Sequence, residues 1–239
     1  METARAGLSG KATAAETATS AKTYQERFHF PGQEIKQETA GLVYRLQKQC
    51  VQALSLVSES RDSYLSSHQR RVAHLARNIA ARLGFPPDQA EGLYFAGLLH
   101  DIGKVGVPGE ILCKTSKLNS DEMGIVKRHC EIGYKVLKNI EFSWPIALAA
   151  LQHHERVNGS GYPQGLEGDD ILLEAKIVAV ADVVEAIASA RPYRPSMGIA
   201  FALNEITTNS GILFDSGVVG ACLAIFSAGY RLKADDKSF

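Results

Sequence analysis

His100 and Asp101 stand side by side in the segment GLLHD, just ahead of Gly103. An imidazole next to a carboxylate at a helix end can converge on a divalent cation of borderline or hard character. Alone the dipeptide carries little weight, because cap residues often show the same pairing. Asp182 adds to it: the residue sits in KIVAVADVVEA, whose apolar neighbours demand burial. A carboxylate buried there needs a cation, hydrogen-bond donors or an arginine partner. His153 and His154 follow the apolar run IALAALQ and open into ERVNGSGYP, a glycine-rich turn that can bring backbone close to a ligand. Adjacent imidazoles at a helix end suit a metal site, and they also suit the negative end of a helix dipole. His129, in KRHCEIGY, joins them only if its helix packs against that end. His68, between Ser67 and Gln69, has the weaker claim and reads more readily as a partly exposed helical histidine.

These residues need helices to position them, and the periodicity supplies helices throughout. Apolar Ile35, Leu42, Leu46, Val51, Leu54 and Val57 predict a connecting helix over Gln33 to Ser58. It could pair with its copy in a homodimer or pack on its own domain. Val72, Leu75, Ile79 and Leu83 predict a helix from Ser66 or Ser67 to Leu83, ended by Gly84. Further helices are expected over Pro87 to Asp101, from Ser120 through His129 toward Leu137, and over Trp144 to His154, Leu173 to Ser189 and Met197 to Thr207. The polar run Asn158 to Asp170 is a loop. No strand alternation persists, so the expected class is all-α.

Of the 239 residues, 45% are hydrophobic, enough for one substantial core with an appendage. Met1 to about Lys22, rich in Ala, Thr, Gly and Ser, reads as a flexible tail. Residues 23–58 read as the connecting segment and 59–239 as the main domain. The 26 basic and 26 acidic side chains cancel, which argues against a partner that is a nucleic acid polymer or an anionic membrane surface. Cys50, Cys113, Cys130 and Cys222 form no CxxC pair and read as reduced thiols of a cytoplasmic protein, and no apolar stretch reads as a membrane segment.

Taken together and in order, HDIGKVGVP, KRHCEIGY, HHERVNGSGYP, VADVVEA and RPYR resemble the HD-GYP family of bacterial cyclic-dinucleotide phosphodiesterases, within the HD metallohydrolase superfamily. The resemblance runs from about Ser60 to Phe214. It implies an HD-type helical bundle with a C-terminal helical extension. It further implies a binuclear centre of iron or manganese, in which His68, His100, Asp101 and Asp182 hold one ion. Asp101, His129, His153 and His154 would hold the other, so that Asp101 bridges. Some members carry a third ion beside a Glu one turn before the first histidine; Tyr64 occupies that position here.

By the same resemblance Lys104 contacts the scissile phosphate or leaving oxygen, and Arg191 and Arg194 grip a second phosphate or lie against a base. Glu185 is grouped with the substrate contacts. A cation pair lowers the pKa of water for attack on phosphorus and neutralises charge on phosphoryl oxygens. Gly159, Gly161, Tyr162 and Pro163 shape the turn and could also contact a signalling partner. The chain departs from the usual family pattern at Asn158, Glu185 and Ala190, where Asp is common. The expected activity is hydrolysis of cyclic di-GMP to pGpG or GMP. The alternatives are 3'3'-cyclic GMP-AMP as substrate, and a non-catalytic nucleotide-sensing or partner-binding module. About 55 residues precede the motif region, too few for a separate input domain of ordinary size.

Overall fold

The computed structural model describes residues 31–59, 63–190 and 196–232; the expected tail at 1–22 and the arginines Arg191 and Arg194 lie outside them. Among the described residues the structure is helical with no strand, as the hydrophobic periodicity requires. The helices are α1 (Pro31–Glu59), α2 (Ser63–Arg82), α3 (Pro87–Leu99), α4 (Gly109–Leu112), α5 (Ser120–Lys127), α6 (His129–Leu137), α7 (Ile146–Gln152), α8 (Leu173–Ala188), α9 (Ile199–Thr208) and α10 (Ser216–Ser227). Short 3-10 turns occupy Ile102–Gly106 and Gly168–Asp170.

The described residues divide into two units between Leu46 and Gln47. The later half of α1 therefore belongs to the larger unit. The reason is burial. Val51, Ser55 and Ser58 are enclosed, Gln47 Nε2 donates to the Glu141 carbonyl at 2.8 Å, and Ser58 Oγ accepts from Gln69 Nε2 at 3.0 Å.

Two helices are apolar nearly all round and sit centrally. In α3, started by Pro87 at its first position, Ala90 and the run from Gly92 to Leu99 are buried. In α8 the buried run is Ala175 to Ala181 with Val184 and Glu185. Amphipathic α2 adds Val72, Leu75, Ala76 and Ile79, while Ala202 and Ile206 of α9 and Val218, Val219 and Cys222 of α10 close the core. Helix α10 was not among the expected helices. Asp215 caps it, accepting from the Gly217 and Val218 amides.

Glycines set the closest approaches. A Cβ on Gly97 would lie 2.5 Å from the Ala73 Cα, so α2 and α3 meet backbone to backbone. A Cβ on Gly103 would lie 1.8 Å from the His129 carbonyl oxygen, so the turn after the His-Asp pair is pressed onto α6. The single helix expected from Ser120 to Leu137 is broken at Arg128. The Asn119–Glu122 capping box starts α5, and His129 begins a new helix rather than lying inside one.

Candidate metal centre

Five elements converge on one buried point. His68 comes from the second turn of α2, His100 from the C-cap of α3, His129 from the first residue of α6, His153 from the C-cap of α7, and Asp182 from the middle of α8. His68, His100, Asp101, His129 and His153 are buried, which settles His68 against the exposed reading.

Asp101 lies at the middle. Its Oδ2 is 3.4 Å from His100 Nε2 and 4.0 Å from His68 Nε2, while Oδ1 is 3.3 Å from His129 Nε2 and 4.0 Å from His153 Nε2. Asp182 Oδ1 faces the first pair, 3.2 Å from His68 Nε2 and 3.9 Å from His100 Nε2. The seven residues expected to hold metal thus come together, with His154 within the same cluster as His129 and His153.

One local device prepares three of the imidazoles. His100, His129 and His153 each donate Nδ1–H to the carbonyl three residues earlier, of Gly97, Val126 and Ala150, at 2.8, 2.7 and 2.9 Å. A carbonyl can only accept, so the proton sits on Nδ1 and each Nε2 presents a bare lone pair inward. His68 is oriented differently: its Nδ1 meets the Glu185 carboxylate, which also accepts from Arg71 Nε at 2.6 Å and Ser189 Oγ at 2.7 Å. Glu185 is fully buried, one oxygen on His68 and the other on Arg71 and Ser189.

The protonation states match. Burial opposes charge on Asp101, but Lys104, His100 and His129 hold its carboxyl well below the usual range. Asp182 is likewise held down, His68 outweighing its burial. Burial, reinforced by neighbouring imidazoles, lowers His153, and burial brings His154 to about 3. Burial works against charge on His68 too, yet its bonds to Asp182 and Glu185 carry it up to about 9. The neutral imidazoles of His129, His153 and His154 beside ionised Asp101 and Asp182 are already in the form that binds a cation, whereas His68 must release its proton to ligate one.

The donor set fits metal on direct grounds. His100 Nε2 and Asp101 Oδ1 are buried without a hydrogen-bond partner, an arrangement costing about 1–3 kcal/mol per group unless something fills the gap. The donor atoms of His68, His100 and Asp101 lie within 4.8 Å of one another, as do those of His129, Cys130, His153 and His154. Lys104 Nζ rests on Asp101 Oδ2 at 2.5 Å and is partly exposed.

The glycine-rich loop is anchored by residues whose roles the motifs did not disclose. Glu155, buried, accepts from the Gln164 and Leu166 amides at 2.7 and 3.1 Å, and Gln152 Oε1 accepts from the Leu172 amide at 2.9 Å. The adjacency of Glu155 to the histidine pair was the available signal. The loop so held stacks Tyr162 on His154, ring centroids 4.7 Å apart. A Cβ on Gly161 would fall 2.4 Å from the Glu155 Cα, so no other residue fits there. Asn158 Oδ1 accepts from the Ser160 amide and hydroxyl, a turn contact for which Asn serves as well as Asp.

A His-Asp pair ending a central helix, ringed by histidines from neighbouring helices, defines an HD-type all-α protein. Residues 39–218 match the HD domain family model, and the chain belongs to that family and to its HD-GYP branch. The cyclic di-GMP phosphodiesterase response regulator RpfG of Xanthomonas campestris is 39% identical over 203 residues, 80% of this chain and 54% of that protein. The 3'3'-cGAMP-specific phosphodiesterase 1 of Vibrio cholerae is 40% identical over 150 residues, 63% of this chain and 34% of that one. An HD-GYP-type protein of Bdellovibrio bacteriovorus shares the fold, with TM-score 0.57 over 78% of this chain and 60% of that chain at 21% identity. The chain spans about half the length of RpfG. No described helix is long and apolar enough to cross a membrane.

Proposed function

We propose that the chain is a metal-dependent phosphodiesterase that hydrolyses cyclic di-GMP to pGpG or GMP. One observation carries the reading: Asp101 directs one carboxylate oxygen at each of two histidine groups, His68 with His100 and His129 with His153. His68, His100, Asp101 and Asp182 would hold one divalent ion, and Asp101, His129, His153 and His154 the other. Iron and manganese both suit the mixed nitrogen and oxygen donors. When bound, such ions supply Lewis-acid charge for phosphoryl oxygens and lower the pKa of water.

The chain's own residues do the rest. The Nδ1 bonds of His100, His129 and His153 keep the donor atoms aimed inward, and Glu185 does the same for His68. Lys104, released from Asp101 as cationic charge enters, can donate to a phosphoryl or leaving-group oxygen. Arg191 and Arg194 are assigned to the second phosphate or a base by the RPYR motif. The exposed Leu42, Val43 and Leu46 of α1 support a homodimer through that helix, and the anchored loop around Tyr162 is a candidate partner surface.

The similarity to 3'3'-cGAMP-specific phosphodiesterases of Vibrio cholerae favours cyclic GMP-AMP as the second reading. Chromatographic product analysis with Mn(II) or Fe(II) and each cyclic dinucleotide tests both. Faster turnover of cyclic di-GMP is the expected result, faster turnover of cyclic GMP-AMP would select the second reading, and no turnover of either would sink the enzymatic one.

A further inference from the structure

Cys130 is fully buried directly beside the histidines, and no role has been given to its sulfur. We propose that the Cys130 thiolate is itself a ligand of the ion held by His129, His153 and His154. The donor would make that half of the centre favour iron, cobalt or zinc over manganese and magnesium. The inference rests on the reading of this cluster as a metal site and adds a sulfur donor to it.

The argument is geometric. An ion with nitrogen ligands at about 2.05 Å and a sulfur ligand at about 2.3 Å, at near-tetrahedral angles, holds its nitrogens about 3.3 Å apart and its sulfur about 3.6 Å from each nitrogen. In the structure His129 Nε2 and His153 Nε2 are 3.4 Å apart, and Cys130 Sγ is 3.5 Å from His129 Nε2. The Cys130, His129, His153 and His154 donor atoms all lie within 4.8 Å of one another.

A second observation points to a ligand at the same place. Asp101 Oδ1, buried and without a hydrogen-bond partner, is aimed at this group from 3.3 Å. The His129 Nε2 nearest the sulfur is the unprotonated one, because Nδ1 donates to Val126. On binding, the S–H bond breaks, its proton passes to water, and the sulfur pair forms the bond to the cation with no change of oxidation state. A soft thiolate among imidazoles shifts selectivity away from hard, oxygen-preferring ions.

The test titrates the metal-free chain with Co(II), whose visible d–d bands report occupancy and whose near-ultraviolet sulfur-to-cobalt charge-transfer band reports a thiolate ligand. The wild type is expected to show both. Cys130→Ser and Cys130→Ala should keep the d–d bands and lose the charge-transfer band. Should those variants fail to fold, a Cys50→Ser, Cys113→Ser, Cys222→Ala chain, with Cys130 its remaining thiol, decides the matter by retaining or losing the band. Wild-type d–d bands without charge transfer, or a band that survives Cys130→Ser, would overturn the sulfur ligand while leaving the histidine and aspartate site intact. Absence of any Co(II) uptake would remove both.

Discussion

The Nε2 atoms of His129 and His153 stand 3.4 Å apart, and neither carries a proton, because each ring donates through Nδ1 to a backbone carbonyl three residues earlier. Two bare lone pairs at that distance repel, and a cation between them turns the repulsion into ligation. Divalent metal should therefore stabilise the fold. At free Mn(II) or Fe(II) a hundredfold above Kd the gain is about 2.7 kcal/mol, or roughly 5–10 °C in Tm. Thermal melts with metal and then with excess chelator check this, and identical melts would contradict it.

Lys104→Ala should leave metal stoichiometry unchanged and lower kcat by roughly 100- to 1,000-fold, the usual loss when a donor to developing charge is removed. Lys104 Nζ touches Asp101 but occupies neither histidine group. Metal analysis beside steady-state rates separates the two effects. Loss of metal with the side chain would instead make Lys104 structural.

Glu185→Ala strips the buried partner from both His68 and Arg71 and should cost about 3–5 kcal/mol in urea unfolding. The pH dependence has a definite sign in metal-free protein. The folded pKa of His68, about 9, lies above its ordinary 6.5, so its contribution is fully present below about pH 6.5 and fades as pH rises through 9. Glu185→Gln should shallow that slope. An unchanged profile would show that Glu185 does not hold the His68 charge.

Gly103→Ala forces a methyl group against the His129 carbonyl and should destabilise by about 1–3 kcal/mol or more while displacing His129. Gly124→Ala, in α5 with open space around it, is the control and should be neutral or stabilising by up to about 1 kcal/mol. Equal effects at the two positions would mean that the close approach of the turn to α6 is not limiting.

Glu155→Ala removes the buried carboxylate that accepts from the Gln164 and Leu166 amides and should cost about 1.5–3 kcal/mol per hydrogen bond to that charged group. Hydrogen exchange at those two amides should accelerate, and the stacking of Tyr162 on His154 should loosen with it. Protection equal to wild type would place the loop anchor elsewhere.

Much of this was legible in the chain itself. A period-3.6 pattern marked α2, because burying one helical face is a local constraint written in residue type, and the bounds expected for α3, α8 and α9 also fell within a few residues. The HD pair and the motifs around it identified the metal-ligand candidates and the family. Less legible were the break at Arg128, where the Asn119–Glu122 cap decides the register of α5, and α10, which was not among the expected helices.

The sequence by itself determined which side chains could ligate and in what order they occur. Only the tertiary structure decided which of them meet and in what state. His68 looked like a surface residue because its neighbours in the chain are polar; the residue that orients it, Glu185, comes 117 positions later. Asp101 reaches His129 because Gly103 has no side chain and lets the turn after Asp101 press onto α6. Coordination depends on distances of a few ångströms between elements far apart in the chain, and local periodicity carries no information about those distances.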